Sequence, residues 1–202
     1  MNEEEAYFTV AAPVTVEFRA KDSRFIAHLH PASERQQIET ILQRHIQRFP
    51  DATHHCYAYR FGTGDRCVFR AEDAGEPAGT AGKPILQAME ARRVSDAILV
   101  VTRYFGGTKL GIGGLIRAYG GAAFAALDAA QLIEVVPQVE LQLIFEYQDT
   151  GAVRQMLNQY HAKVISQHFS EHTRMRISVQ VQNAEPLKTA LTNATRGNIQ
   201  IL

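Results

Sequence analysis

The chain has 202 residues, 46% of them hydrophobic and 21% charged, a composition that suits one large or two small globular domains. Its 21 Lys and Arg are balanced by 21 Asp and Glu, which excludes a global positive field drawing the protein to nucleic acid. Any anion site must therefore be local.

Residues 14–18 and 24–30 read as short strands joined by a turn at Lys21, Asp22 and Ser23. Ser33 and Gln36 have the spacing of a capping box. Behind them Ile38, Ile41, Leu42, Ile46 and Phe49 recur at three and four, the apolar stripe of a helix ending near Pro50. Residues 54–61 and 66–69 flank Gly62, Thr63 and Gly64, which predicts a hairpin. The stretch AEDAGEPAGTAGKP, residues 71–84, is dense in glycine and proline and predicts a loop. Pro84 suits the first turn of a helix reaching Arg93. AILVVT, residues 97–102, predicts a strand covered on both faces. The next helix is expected over residues 115–132, where Gly120 and Gly121 serve close packing.

The character changes around Pro137. Val139, Leu141, Leu143, Phe145 and Tyr147 alternate with mostly polar residues, a half-buried strand. A helix capped by Asp149 and Thr150 follows, then strands over 164–169 and 174–182. A helix opened by Pro186 and a strand over 198–202 complete the chain. The order β-α-β-β-α-β is the ferredoxin-like one, and it divides the chain into domains at residues 1–136 and 137–202.

The stretch RYFGGTKLGIGGLIRAY, residues 103–119, carries the strongest hint of chemistry. Arg103, Gly106, Gly107, Lys109, Gly111, Gly113, Gly114 and Arg117 combine glycine backbone with three positive charges, and no acid follows until Asp128. Successive N–H groups at 111–114, at the positive end of a helix, predict an anion or nucleic-acid contact. The alternative is that the glycines permit tight packing and the cations are only solvated. No nucleotide motif is present. Near Gly82 and Lys83, Pro77 stands where a P-loop needs glycine, and Ile116 replaces the third glycine of a dinucleotide fingerprint.

Asp73, Glu76 and Lys83 share a loop and form a secondary site, as acid–base or magnesium groups. Against this, Glu76 could cap a turn or pair with a cation. His54 and Cys56 share a strand face, but two ligands are too few for zinc, so no metal is expected. Cys56 has no identifiable partner for a nucleophile's role. MNEEEAYF at the start lacks the pattern of a secretory signal, and the longest aliphatic run, residues 98–101, is far below a membrane span. Cys56 and Cys67 make no disulfide framework. A reduced, soluble, cytoplasmic protein without membrane contact is the expectation.

Residues 21–28 (KDSRFIAH), 51–60 (DATHHCYAYR), 75–84 (GEPAGTAGKP) and 101–111 (VTRYFGGTKLG) together strongly resemble the IMPACT family in its bacterial, YigZ-like two-domain form. The resemblance covers about residues 14 to 130. It departs at Ala74, where the family usually reads Asp-Asp-Gly-Glu-Pro; that weakens any metal site built on paired aspartates. The resemblance implies an α+β fold, with an N-terminal domain like the second domain of ribosomal protein S5. It also implies a C-terminal ferredoxin-like domain resembling the last domain of elongation factor G. Eukaryotic relatives regulate translation by binding a partner of the amino-acid-starvation kinase. The expected function is accordingly a non-catalytic, translation-associated regulator that binds RNA, the ribosome or a translation-regulatory protein, without a cofactor. The alternative is an enzyme acting on a phosphorylated small molecule or nucleotide through the 106–114 loop.

Overall fold

The computed structural model describes residues 6–202; the acidic residues 1–5, read above for signal features, lie outside the described residues. The chain divides into two compact units, Tyr7–Val135 and Val136–Leu202. Both mix helices with antiparallel sheets, so the class is α+β.

The first unit begins with β1 (Tyr7–Val10), β2 (Val14–Ala20), β3 (Ser23–Pro31) and α1 (Arg35–Arg48). It continues through β4 (His54–Phe61), β5 (Val68–Glu72), α2 (Gly82–Ala91), β6 (Ala97–Tyr104), α3 (Gly111–Ala129) and β7 (Leu132–Val135). Five strands form an all-antiparallel sheet in the order β2-β3-β6-β4-β5. The central β6 is buried at every position except Tyr104, because helices cover both faces. Phe25, Ala27 and Leu29 of β3 and Leu99 and Val101 of β6 pack on Ile85, Met89, Tyr119 and Ala122 of α2 and α3. The alternate residues Ile98 and Val100 turn to the other face and meet Ile38 of α1. Each fully buried Leu, Ile or Phe contributes about 1.5–3 kcal/mol of transfer free energy.

The second unit runs β8 (Gln138–Phe145), α4 (Thr150–Gln159), β9 (Lys163–Phe169), β10 (Thr173–Gln180), α5 (Val181–Ala194) and β11 (Ile199–Ile201). Its antiparallel sheet has the order β11-β8-β10-β9. Leu141, Leu143, Phe145, Met175, Ile177 and Val179 pack against Val153, Leu157, Leu187 and Leu191 of the two helices.

Several boundaries differ from the sequence expectation. Ser33 and Gln36 form no capping box: α1 starts at Arg35, and Gln37 Oε1 accepts the Ser33 N–H at 3.0 Å. In the apolar stripe, Ile46 is 51% exposed and His45 takes the buried place. Helix α5 begins five residues before Pro186, which sits in its second turn, so Val181 and Gln182 leave the strand expected over 174–182. Helix α3 begins at Gly111 rather than 115, which turns the supposed loop glycines 111–114 into its first turn. The pairing of β1 with β7 was not anticipated; Tyr7 lies opposite Val135, and Val10 opposite Leu132.

Candidate functional site

Strand register builds the interior half of the site. In β6, Arg103 lies between Phe25 of β3 and His54 of β4, on the face that α2 and α3 cover. The loop from β5 into α2 supplies Asp73 and Glu76. Its turn places Ala74 at φ 45° and Gly75 at φ 91°, and the Glu76 N–H donates to the Asp73 carbonyl at 3.0 Å. Two consecutive left-handed residues are the mark of a type I′ turn, in which glycine is at ease and alanine is not. The turn folds Glu76 inward.

Glu76 is the hub of a buried polar cluster. Its Oε1 accepts from Arg103 Nη1 at 2.6 Å and from the Tyr119 hydroxyl at 2.7 Å, with His54 Nε2 at 3.9 Å. The Glu76 and Arg103 side chains are 4% and 6% exposed. A second Arg103 nitrogen reaches Ser23 Oγ at 3.4 Å, and the guanidinium lies 5.5 Å from the Phe25 ring and 5.4 Å from that of Phe105. The His54 ring meets the Ala74 carbonyl at 2.9 Å. Burial drives the Tyr119 phenol pKa upward, so it stays a neutral donor. Burial likewise pushes the Cys56 thiol up to about 12; its sulfur donates to the Asp73 carbonyl at 3.0 Å and lies 3.3 Å from the Tyr119 hydroxyl.

Asp73 and Glu76, the carboxylates of the secondary site, are both engaged by partners within the fold. Asp73 accepts N–H groups from Gly79 at 2.7 Å and from Ala81 and Gly82 at 2.9 Å, so its carboxylate closes the loop over the start of α2. Burial alone would raise its pKa, but the three donors hold it below the ordinary carboxylate value. Glu76 is neutralised by Arg103. Neither carboxylate is presented as an open acid–base or magnesium group, and Lys83 is exposed on the first turn of α2. Among the described residues no group of three or more His, Cys, Asp or Glu is placed to hold a metal ion.

The outer half of the site is the segment after β6, and it does not use all the residues expected there. Arg103 is withdrawn from the surface because Glu76 needs it. Gly106 serves packing: a Cβ on it would overlap the Asp22 carbonyl, and its N–H points to Ser23 Oγ at 3.3 Å. Thr108 Oγ1 donates to Asp22 at 2.6 Å and Lys21 Nζ to the Lys109 carbonyl at 3.3 Å, so the β2–β3 turn pins the loop. Gly114 lies against Leu110, and Gly121 against the Phe18 ring. Gly107 and Gly111 face open space.

What remains outside is a mixed surface. Lys109 and Arg117 are exposed, beside Phe105 at 45%, Ile112 at 65% and Ile116 at 40% exposure. Helix α3 has no acidic residue in its first turn and no side-chain cap, so no acid of its own offsets the N-terminal N–H groups and positive dipole end. A Cβ on Gly113 would have Arg117 Nη1 as its nearest neighbour, at 3.5 Å, which places this guanidinium over the same turn.

Tyr119, Ser23 and the hydrogen-bonding role of His54 were missed from the sequence. The available signal was Tyr119 itself, a hydroxyl in an otherwise apolar, small-residue helix face, since a buried phenol seeks a partner.

The family model described as the Impact N-terminal domain matches residues 21–127, and the one described as "Domain of unknown function (DUF1949)" matches residues 143–198. The IMPACT family member YigZ of Escherichia coli (strain K12) is 34% identical over 199 residues, covering 98% of each chain. The chain belongs to the IMPACT family. Its similarity to YvyE of Bacillus subtilis (strain 168) is 35% over 196 residues, covering 97% of this chain and 90% of that one. The protein named IMPACT from Bos taurus matches only in part, 39% identical over 93 residues, which is 44% of this chain and 29% of that protein. Among solved structures, a crystal structure of a hypothetical protein superposes with a TM-score of 0.63 at 33% identity, covering 98% of this chain and 97% of that one. The IMPACT-type first unit thus contains both halves of the site. No helix among the described residues is long and apolar enough to cross a membrane.

Proposed function

We propose that this IMPACT family member is a non-catalytic, translation-associated protein that docks on RNA through the surface formed by residues 105–117. One observation carries the reading: the uncapped N-terminus of α3 has the Arg117 guanidinium over its first turn and follows a segment that exposes Phe105 and Lys109. A backbone N–H cradle and two exposed cations suit phosphate, while an exposed aromatic offers a base something to stack on. Two cations in a neutral protein give a weak, salt-sensitive contact rather than a dedicated high-affinity site.

The interior supports a non-catalytic role. The Cys56 thiol is buried with a raised pKa, and Glu76 and Asp73 are consumed by internal partners. Under this proposal the Glu76–Arg103 pair holds β6 and the 73–82 loop in place beneath the docking surface. The same proposal reads the first unit as like the second domain of ribosomal protein S5. It reads the second as ferredoxin-like and similar to the last domain of elongation factor G; the β-α-β-β-α-β order supports the ferredoxin-like part.

Co-sedimentation with ribosomes before and after nuclease treatment tests the proposal. Binding that disappears on nuclease treatment, and in Lys109→Ala/Arg117→Ala, is expected. A partner retained after nuclease treatment would identify a protein contact and overturn RNA as the target.

A further inference from the structure

The opposite face of the same sheet carries a second collection of polar groups that the docking surface does not use. Helix α1 packs over β4 and β6 there, and between it and the β2–β3 edge is a cleft of about 310 Å³ lined by Pro13, Thr15, His28, His30, Ile41, Arg44, His45 and Arg48. Its charge is one-sided. Among the described residues neither Arg44 nor Arg48 pairs with a carboxylate, and Arg48 lies over the Phe49 ring at 5.4 Å. Glu17, the acid on the Thr15 side of β2, is held by Arg19 at 2.9 Å and Arg24 at 3.9 Å.

The histidines are packed together. The His28 and His45 rings are 4.4 Å apart, and His55 lies 5.5 Å beyond His45. His45 Nε2 meets Thr102 Oγ1 at 2.5 Å, and Thr15 Oγ1 meets His28 Nδ1 at 3.0 Å. Burial, followed by repulsion from the other histidines and Arg48, lowers His28 to about 4 and His45 to about 3. Both are therefore neutral at pH 7, and the cleft's fixed charge comes from the two arginines. His28 is only 4% exposed, yet its Nε2 has no hydrogen-bond partner. A buried polar nitrogen left unpaired is costly, and although Nε2 itself is closed off, the His28 ring lines the cleft and senses charge placed there.

We propose that this cleft is a binding site for a small phosphomonoester. Two guanidinium groups match the two charges of a phosphate dianion and present forked donors to its oxygens. When Thr15 donates to His28 Nδ1, the ring proton sits on Nε2, and the ring in the cleft wall responds to a dianion bound by the two arginines. Pro13 and Ile41 give the organic part of the ligand an apolar wall. The site lies across the sheet from residues 105–117 and does not depend on their binding RNA.

The test follows the histidine ring resonances by nitrogen-correlated NMR at pH 7 while inorganic phosphate, phenyl phosphate or phenol is added. The expected result is a saturable shift of the His28 ring, tighter for phenyl phosphate than for phosphate and absent with phenol. Arg44→Gln/Arg48→Gln should weaken binding by about tenfold or more, and Lys109→Ala/Arg117→Ala should leave it unchanged. If the double arginine variant does not fold, the single variants Arg44→Gln and Arg48→Gln, each on α1, are read in its place. No saturable shift at about 10 mM of either phosphate, a level about tenfold above a millimolar Kd, overturns the proposal. Equal binding by the arginine variants, or an equal response to phenol, also overturns it.

Discussion

Arg103 Nη1 lies 2.6 Å from Glu76 Oε1, and both side chains are withdrawn from solvent beneath α3. Removing one partner strands the other charge in the interior. Glu76→Ala and Arg103→Ala should each cost about 3–5 kcal/mol of stability, measured by urea denaturation. The double substitution Glu76→Leu/Arg103→Met should cost clearly less than the sum, because no uncompensated charge remains.

Asp73 links stability to acid. Three backbone donors keep its folded-state pKa below the value of the unfolded chain. Its contribution is therefore complete above the unfolded value, near 4, and is lost as pH falls through the lower folded value. Asp73→Asn should be less stable than the wild type at pH 7 by about 1–2 kcal/mol, the usual worth of such a cap. The gap in urea midpoint should narrow as pH falls below about 4. A gap independent of pH would assign the effect to shape rather than charge.

Ala74 occupies a left-handed position at φ 45° in the turn that aims Glu76. Alanine there carries a strain of about 1 kcal/mol that glycine avoids. Ala74→Gly should raise the thermal midpoint; a fall would show that the Ala74 methyl contact with the core outweighs the strain.

Patterns governed by local chemistry were readable from residues alone. The apolar run at 97–102 gave a strand where one occurs, and so did the alternation from Val139 to Phe145, although Tyr147 falls beyond β8 in the turn that follows; the β-α-β-β-α-β order came with them. The start of α4 was readable at Asp149 and Thr150, but those of α3 and α5 were not, because they were settled by tertiary contacts. Gly111 to Gly114 look like loop but join α3 once the β2–β3 turn holds residues 106–109. Pro186 looks like a helix opening, yet it sits within α5, which begins at Val181. The site was half visible for the same reason. Lys109 and Arg117 stay where charge suggests, whereas Arg103 is taken inward by a glutamate 27 positions away. The His28–His45 cleft joins residues 17 apart in sequence, and neither spacing nor composition announces it.

The glycines of the surface separate by purpose. Gly106→Ala should cost about 2–4 kcal/mol or prevent folding, since a methyl there collides with the Asp22 backbone. Gly113→Ala meets only Arg117 Nη1 and lies in a helix, so it should stabilise by about 0.5–1 kcal/mol. The same methyl would crowd a phosphate on the first turn of α3, so RNA affinity should drop while stability rises. Parallel denaturation and RNA-binding curves on this one variant check both halves.

The most direct test of the docking surface is the salt dependence of binding to single-stranded RNA. Each phosphate contact contributes about 0.7 to the slope of log affinity against log salt. Lys109→Ala/Arg117→Ala should weaken binding to all sequences alike and reduce that slope by about 1.4. A variant that binds RNA with the wild-type affinity and slope would contradict the assignment of this surface.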